Sequence, residues 1–136
     1  MTQNITITNQ VEYYTHTLSQ SLQFDYERFV IKLHKDAIDR GEAVEYHTER
    51  LKEIKESNTF SNSKVFAVIS DNDYYRIESH DGEKSVIAFV DKITGGVYKP
   101  ESWDRPESDP KYNLLDETSR EDCFLNVDWL GEFLNK

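Results

Sequence analysis

From Leu18 to Ala37, apolar or aromatic side chains recur at Leu18, Leu22, Tyr26, Phe29, Leu33 and Ala37, at spacings of four, four, three, four and four. That rhythm keeps one stripe on the 3.6-residue period and predicts an amphipathic helix, which Val30 and Ile38 widen. Gly41, after Asp39 and Arg40, supplies a stop. Val44, His47, Leu51 and Ile54 then repeat at three, four and three, predicting a second helical segment. A helical hairpin and one long kinked helix both satisfy this pattern. Glu45 and Glu49, beside Arg50, Lys52 and Lys55, read as ordinary ion pairs on a solvated helix face.

The helical period ends in the polar run of residues 56–63, ESNTFSNS. Beyond it the chain takes on strand composition: KVFAVIS (64–70), YYRIES (74–79), KSVIAFVDK (84–92) and GVYK (96–99) are β-branched and aromatic, with short polar turns between them. Such turns join antiparallel neighbours. In the second segment Tyr75, Ile77 and Ser79 alternate with Tyr74, Arg76 and Glu78, so one face can be buried. The third is apolar on both faces and is expected at the centre of the sheet. Residues 100–118 hold all three prolines, Pro100, Pro106 and Pro110, and are expected to form an irregular arm over the body. A C-terminal helix comes next, with Ser119 as N-cap, Glu121 and Asp122 near its positive end, and Phe124, Val127, Leu130 and Leu134 as its apolar stripe. Trp129 is read as core of that helix. The expectation is one α+β domain over 1–136: N-terminal helix or helical hairpin, antiparallel meander sheet of three to four strands, Pro-containing arm and C-terminal helix, with the helices on one face of the sheet.

The chain of 136 residues carries 16 Lys plus Arg against 26 Asp plus Glu, a formal net charge of -10. An acidic surface repels nucleic acid, whose phosphates demand cations, and attracts proteins with basic patches. Direct nucleic-acid binding is therefore not expected. Carboxylates standing in for DNA phosphates are a variant of the same idea, although this charge also suits a merely soluble protein. Cys123 is the sole cysteine, which excludes an internal disulfide and a Cys-rich zinc site and suits a reducing cytoplasm. The first ten residues lack the pattern of a secretory signal, and the longest apolar run, VIAFV at 86–90, is far too short to span a bilayer. The acceptor-like triplet Asn4-Ile5-Thr6 has no secretory context and is read as chance.

AFVDKITGGVYKPESWDRP (88–106) and YNLLDETSREDCFLNVDWLGEFL (112–134) resemble small uncharacterised proteins of tailed bacteriophages, marine and cyanobacterial phages among them. In those, a strand like FIDKxTGDVYKPASW leads to a Pro-rich arm, then to NLLD, SRE and a DWAGG-like ending. The resemblance covers roughly residues 62–136 and rests on Asp91-Lys92, Thr94-Gly95, Tyr98-Lys99-Pro100, Ser102-Trp103 and Asp128-Trp129 in that order. Gly96 stands where an acid is usual, the arm DRPESDP is acidic where it is usually basic, and Leu130-Gly131-Glu132 replaces small residues. The resemblance implies a phage product made in the host cytoplasm and implies no activity. Within the motif, residues 91–96 suit a Gly-assisted hairpin turn, Pro100 ends a strand, and Trp103 can clamp the arm onto the sheet by burying its ring. The functional alternative makes Tyr98, Lys99 and Trp103 a partner-binding surface.

No phosphate loop, dinucleotide fingerprint, zincin motif, hydrolase elbow or CxxC is present. His16, His34, His47 and His80 show no three- or four-residue spacing, so no metal or cofactor is assigned, and His47 is read as a half-buried packing residue. Cys123 beside two acids does not suit a nucleophile. Asp71-Asn72-Asp73 looks like a fragment of a calcium loop but lacks its glycine and distal glutamate, and is read as a turn. The leading expectation is a non-enzymatic interaction protein that binds and modulates a host or phage protein with a basic surface. A small enzyme with a dispersed site in nucleotide or nucleic-acid metabolism is one alternative. Self-assembly through the N-terminal stripe, as in a homodimer, is the other.

Overall fold

The computed structural model describes residues 7–57 and 64–135. The first element, α1 (Ile7–Asp39), begins well before Leu18. The reason is a polar residue that behaves as an apolar one. Val11 and Thr15 extend the stripe at four, three and four toward Leu18 and Leu22, and all four are fully buried. The Thr15 hydroxyl donates to the Val11 carbonyl at 2.6 Å, so its burial leaves no polar atom unpaired. α1 ends in a Schellman motif: the Gly41 N–H donates to the Ile38 carbonyl and the Glu42 N–H to the Ala37 carbonyl, both at 2.9 Å. Gly41 takes φ 74°, and Ala43 has φ 41°, turning the chain back into α2 (Val44–Ser57). The two helical segments are thus a hairpin, not one kinked helix.

Strands β1 (Val65–Ser70), β2 (Tyr74–His80), β3 (Lys84–Asp91) and β4 (Gly96–Tyr98) form an antiparallel meander with β3 in the middle, as the apolar run at 84–92 implied. The β2–β3 register shifts at Ile77/Glu78. The Gln23 side chain of α1 pairs with the free edge of β1: its carbonyl accepts from the Phe66 N–H at 2.9 Å and its amide donates to the Lys64 carbonyl at 3.1 Å. That occupies edge groups that would otherwise invite another strand.

Among the described residues the sheet has five strands, not three to four, and the stretch 100–118 is more regular than expected. β5 (Pro100–Ser102) pairs with β6 (Arg105–Pro106) in a small hairpin, and β7 (Tyr112–Asn113) adds to β4. Pro100 and Pro106 lie opposite each other, at ladder positions where neither needs an N–H to donate. Strands this short carry no readable periodicity.

The C-terminal helix also differs. α3 (Glu117–Asn126) is capped by Asp116, whose carboxylate accepts from the Ser119 N–H at 3.2 Å. Ser119 lies inside the first turn, and its hydroxyl accepts from the Asn113 N–H at 2.8 Å. The helix stops before Val127, which takes ψ 137°, so Leu130 falls in a turn and is exposed. The Asp128 carboxylate accepts from the Glu132 and Phe133 N–H groups at 3.2 and 2.7 Å and starts a 3-10 turn, Glu132–Asn135. That turn sets Phe133 and Leu134 into the core. Trp129 lies outside the helix: its N–H donates to Asp25 at 2.9 Å, and its half-buried ring meets Tyr26 and Phe29 at 5.2 and 5.1 Å.

The architecture is α+β. α1, α3 and the 3-10 turn bury one face of the sheet, where Leu18 and Leu22 meet Tyr75, Ile77, Ala88, Val90 and Cys123. Burial, then the Asp122 charge, pushes the Cys123 thiol up to about 12, so it stays protonated and inert at neutral pH. Among the described residues no helix is long and apolar enough to cross a membrane.

Candidate functional site

The other face of the sheet carries the residues of chemical interest. In β2 the alternation puts Tyr74, Arg76 and Glu78 opposite the core side. Phe89, between the core residues Ala88 and Val90 in β3, faces the same way and is 1% exposed, with the Tyr74 ring edge-on at 5.9 Å. Tyr98 pairs with Phe89 across the ladder and meets Tyr74 edge-on at 6.0 Å. The β5–β6 turn, held by a 3.0 Å bond from the Ser102 hydroxyl to Asp104, brings Trp103 above Arg76.

Arg76 organises this face. Its guanidinium sits 5.0 Å from the Trp103 ring centroid, pairs with Asp71, and donates through Nε to Glu78 at 2.7 Å. Glu78 is 2% exposed and also pairs with His80 Nε2 at 2.8 Å. Burial pushes the Glu78 carboxyl upward, but the bonds from His80 and Arg76 outweigh it and hold the group below its ordinary range. A buried carboxylate fixed this way gives Arg76 one orientation, which in turn positions Trp103.

The three sequence-predicted partner residues separate here. Trp103 is 43% exposed, so it clamps the arm through the Arg76 cation and not by burying its ring. Tyr98 is half-buried in the aromatic pile; burial, with the Tyr74 and Asp91 charges, raises its hydroxyl pKa. Lys99 is half-buried, and its carbonyl accepts from the Glu107 N–H at 2.8 Å, tying down the arm. Of the three, only Trp103 offers an aromatic face with substantial exposure.

Beside Trp103 lies an open depression of about 600 Å³, formed by residues 70–74 with Phe89 and Asp104. Asp71 and Asp73 come from the β1–β2 turn, which closes with the Asp71 N–H on the Tyr74 carbonyl at 2.9 Å, and Asp104 comes from the arm. The reading of Asp71-Asn72-Asp73 as a turn therefore holds. The convergence with Asp104, more than thirty positions away, had no sequence signal. Among the described residues no group of three or more His, Cys, Asp or Glu is placed to hold a metal ion.

A second cluster forms in the hairpin. His34 of α1 and His47 of α2 approach Nδ1 to Nδ1 at 2.7 Å, with the Tyr46 ring beside both. His47 is half-buried, as expected, but its pairing with a histidine thirteen residues away was not legible from spacing. Such a bond needs one neutral ring as acceptor. Burial, then the His47 and Arg50 charges, lowers the His34 pKa from its ordinary 6.5. A lowered basic pKa means the unfolded chain binds the proton more readily, so stability from this pair is present above 6.5 and is lost as pH falls below it. Thermal unfolding from pH 8 to 5 is expected to show a declining midpoint below about 6.5. In His34→Gln that part of the slope should flatten; an unchanged slope would place the sensitivity elsewhere.

No curated protein and no solved structure matches the chain. The model of a family of unknown function, DUF7717, matches residues 1–136, and the chain belongs to that family.

Proposed function

We propose that this is a non-enzymatic interaction protein that binds and modulates another protein by seating a basic segment in the acidic depression beside Trp103. The carrying observation is the convergence of Asp73 and Asp104, from two separate turns, on a depression of about 600 Å³ that Asp71, itself paired with Arg76, also lines. Trp103 adds a suitable anchor: Arg76 already stacks on its ring, so a second guanidinium or ammonium on the remaining exposed surface repeats a contact the molecule makes with itself. The net charge of -10 favours encounter with basic proteins and disfavours nucleic acid. The phage-like motif of residues 88–134 supports a setting in the cytoplasm of an infected bacterium, with a host or phage protein as partner.

Affinity capture from bacterial host extract tests this. The parent chain is expected to retain a protein with a basic surface and to release it as ionic strength rises. Trp103→Ala and the pair Asp73→Asn, Asp104→Asn, each checked for folding by circular dichroism, are expected to weaken retention about tenfold or more, or ~1.4 kcal/mol. Equal retention by the folded variants, or a partner with no basic surface, would sink the proposal.

A further inference from the structure

The hairpin carries a second open surface of opposite character. α2 packs chiefly on α1, and of its apolar positions only Ile54 is buried. Between the helices runs a groove of about 780 Å³ whose apolar lining is Phe24, Ile31, Leu51 and Ile54. Phe24 is 64% exposed. Arg28, Lys35, Lys55 and Glu27 also line it, with Arg28 already paired to Asp25 at 3.1 Å. With Arg28 taken up by Asp25, Lys35 and Lys55 against the single Glu27 still leave this apolar trough an excess of positive charge in a chain of net charge -10.

We infer that this groove docks an acidic amphipathic helix of a partner protein, its apolar stripe on Phe24, Ile31, Leu51 and Ile54 and its carboxylates against Lys35 and Lys55. On α1 the groove runs from Phe24 to Lys35, about 16 Å at the helical rise, which matches three turns of a bound helix and three apolar anchors at i, i+3 or i+4, and i+7. Charge chooses among occupants. A second copy docked groove to groove sets the Lys35 and Lys55 charges of the two copies against each other, which opposes a symmetric dimer here. An anionic membrane would meet a concave surface on a protein whose net charge repels it. This surface lies on the helices, apart from the depression beside Trp103, and does not depend on it. Together the two faces make the chain a two-sided adaptor for one basic and one acidic partner.

A labelled fourteen-residue helical peptide, with leucines at positions 3, 7 and 10 and glutamates flanking them, is titrated with the full chain by fluorescence anisotropy. Saturable binding is expected, weakening as salt rises. Phe24→Asp, at an exposed position that leaves the fold intact, is expected to lower affinity at least tenfold. The charge reversal Lys35→Glu, Lys55→Glu should do the same while restoring binding to a peptide with lysines in place of the glutamates. Absence of saturation up to about 1 mM peptide, the weak limit of specific recognition, overturns the inference. So does equal binding of the two peptides by the parent chain. Sedimentation showing a dimer that Phe24→Asp dissolves would assign the groove to a second copy and overturn it as well. Binding to phosphatidylglycerol vesicles in preference to the peptide would overturn it in favour of a membrane.

Discussion

Phe133→Ala is expected to destabilise the fold by about 3–5 kcal/mol, as truncation of a buried aromatic does. Phe133 is fully buried, although it lies in a 3-10 turn of only four residues. Its ring stacks on Tyr112 at 6.0 Å and 27°, and its carbonyl accepts from the Tyr112 hydroxyl at 3.2 Å. Asp128 grips the same turn through the Phe133 N–H, so the site cannot readily collapse into the vacancy an alanine leaves. Urea unfolding measures the loss, with Leu130→Ala as reference: Leu130 is 59% exposed and should shift stability by no more than about 0.5 kcal/mol. Comparable small losses for both would mean that the turn does not belong to the cooperative unit.

Gly95→Ala is expected to cost about 2–4 kcal/mol, from two sources that act together. Gly95 takes φ 77°, where a Cβ meets the backbone, and the added atom would lie 2.9 Å from Leu115 Cγ and 3.2 Å from Asn113 Oδ1. The backbone cannot move aside cheaply. The Gly95 N–H donates to the Asp91 carbonyl at 2.9 Å, and its own carbonyl accepts from the Leu114 N–H at 2.8 Å, joining the β3–β4 turn to the stretch after β7. Gly82→Ala is the control: φ is 102° but nothing lies within 4 Å of the new Cβ, so only the backbone penalty of about 1–2 kcal/mol remains. Thermal unfolding of both, and of Gly95→Ala combined with Leu115→Ala, separates the terms. Equal losses at the two glycines, or no relief in the double variant, would remove the steric part of the explanation.

Long, strongly periodic segments were legible because their signal is local. The helix over Leu18 to Ala37, the Gly41 stop, and the two-sided apolar run of β3 each appear in the structure, although within the stripe Leu18, Leu22 and Ala37 are buried while Phe29 and Leu33 stay exposed. The features that escaped reading depend on partners far along the chain or on local bonds that composition hides. Thr15 looks polar until its hydroxyl is seen returning to Val11. Ser119 and Asp116 are both good caps in isolation, and the choice is made by Asn113, which takes the serine hydroxyl. The acidic depression needed Asp104 delivered by a hairpin of two short strands, each set by proline. The groove was hidden for a different reason. Phe24 lies two positions after Leu22, about 200° around the helix, so it falls off the stripe and reads as an isolated exception. Its meaning appears only when α2 folds back beside it.

The hydrogen bond from the Trp129 N–H to Asp25 joins residues 104 positions apart. On the ribosome, α1 is complete before any strand exists, and its stripe has nothing to lie against until β1 to β4 have emerged. The last side chains to fill that core, Phe133 and Leu134, come later still. Folding of the nascent chain therefore cannot close on a subset of the elements, and the apolar face of α1 waits uncovered through most of translation. A chain truncated before residue 129 is expected to be a client of chaperones and not a smaller version of this domain.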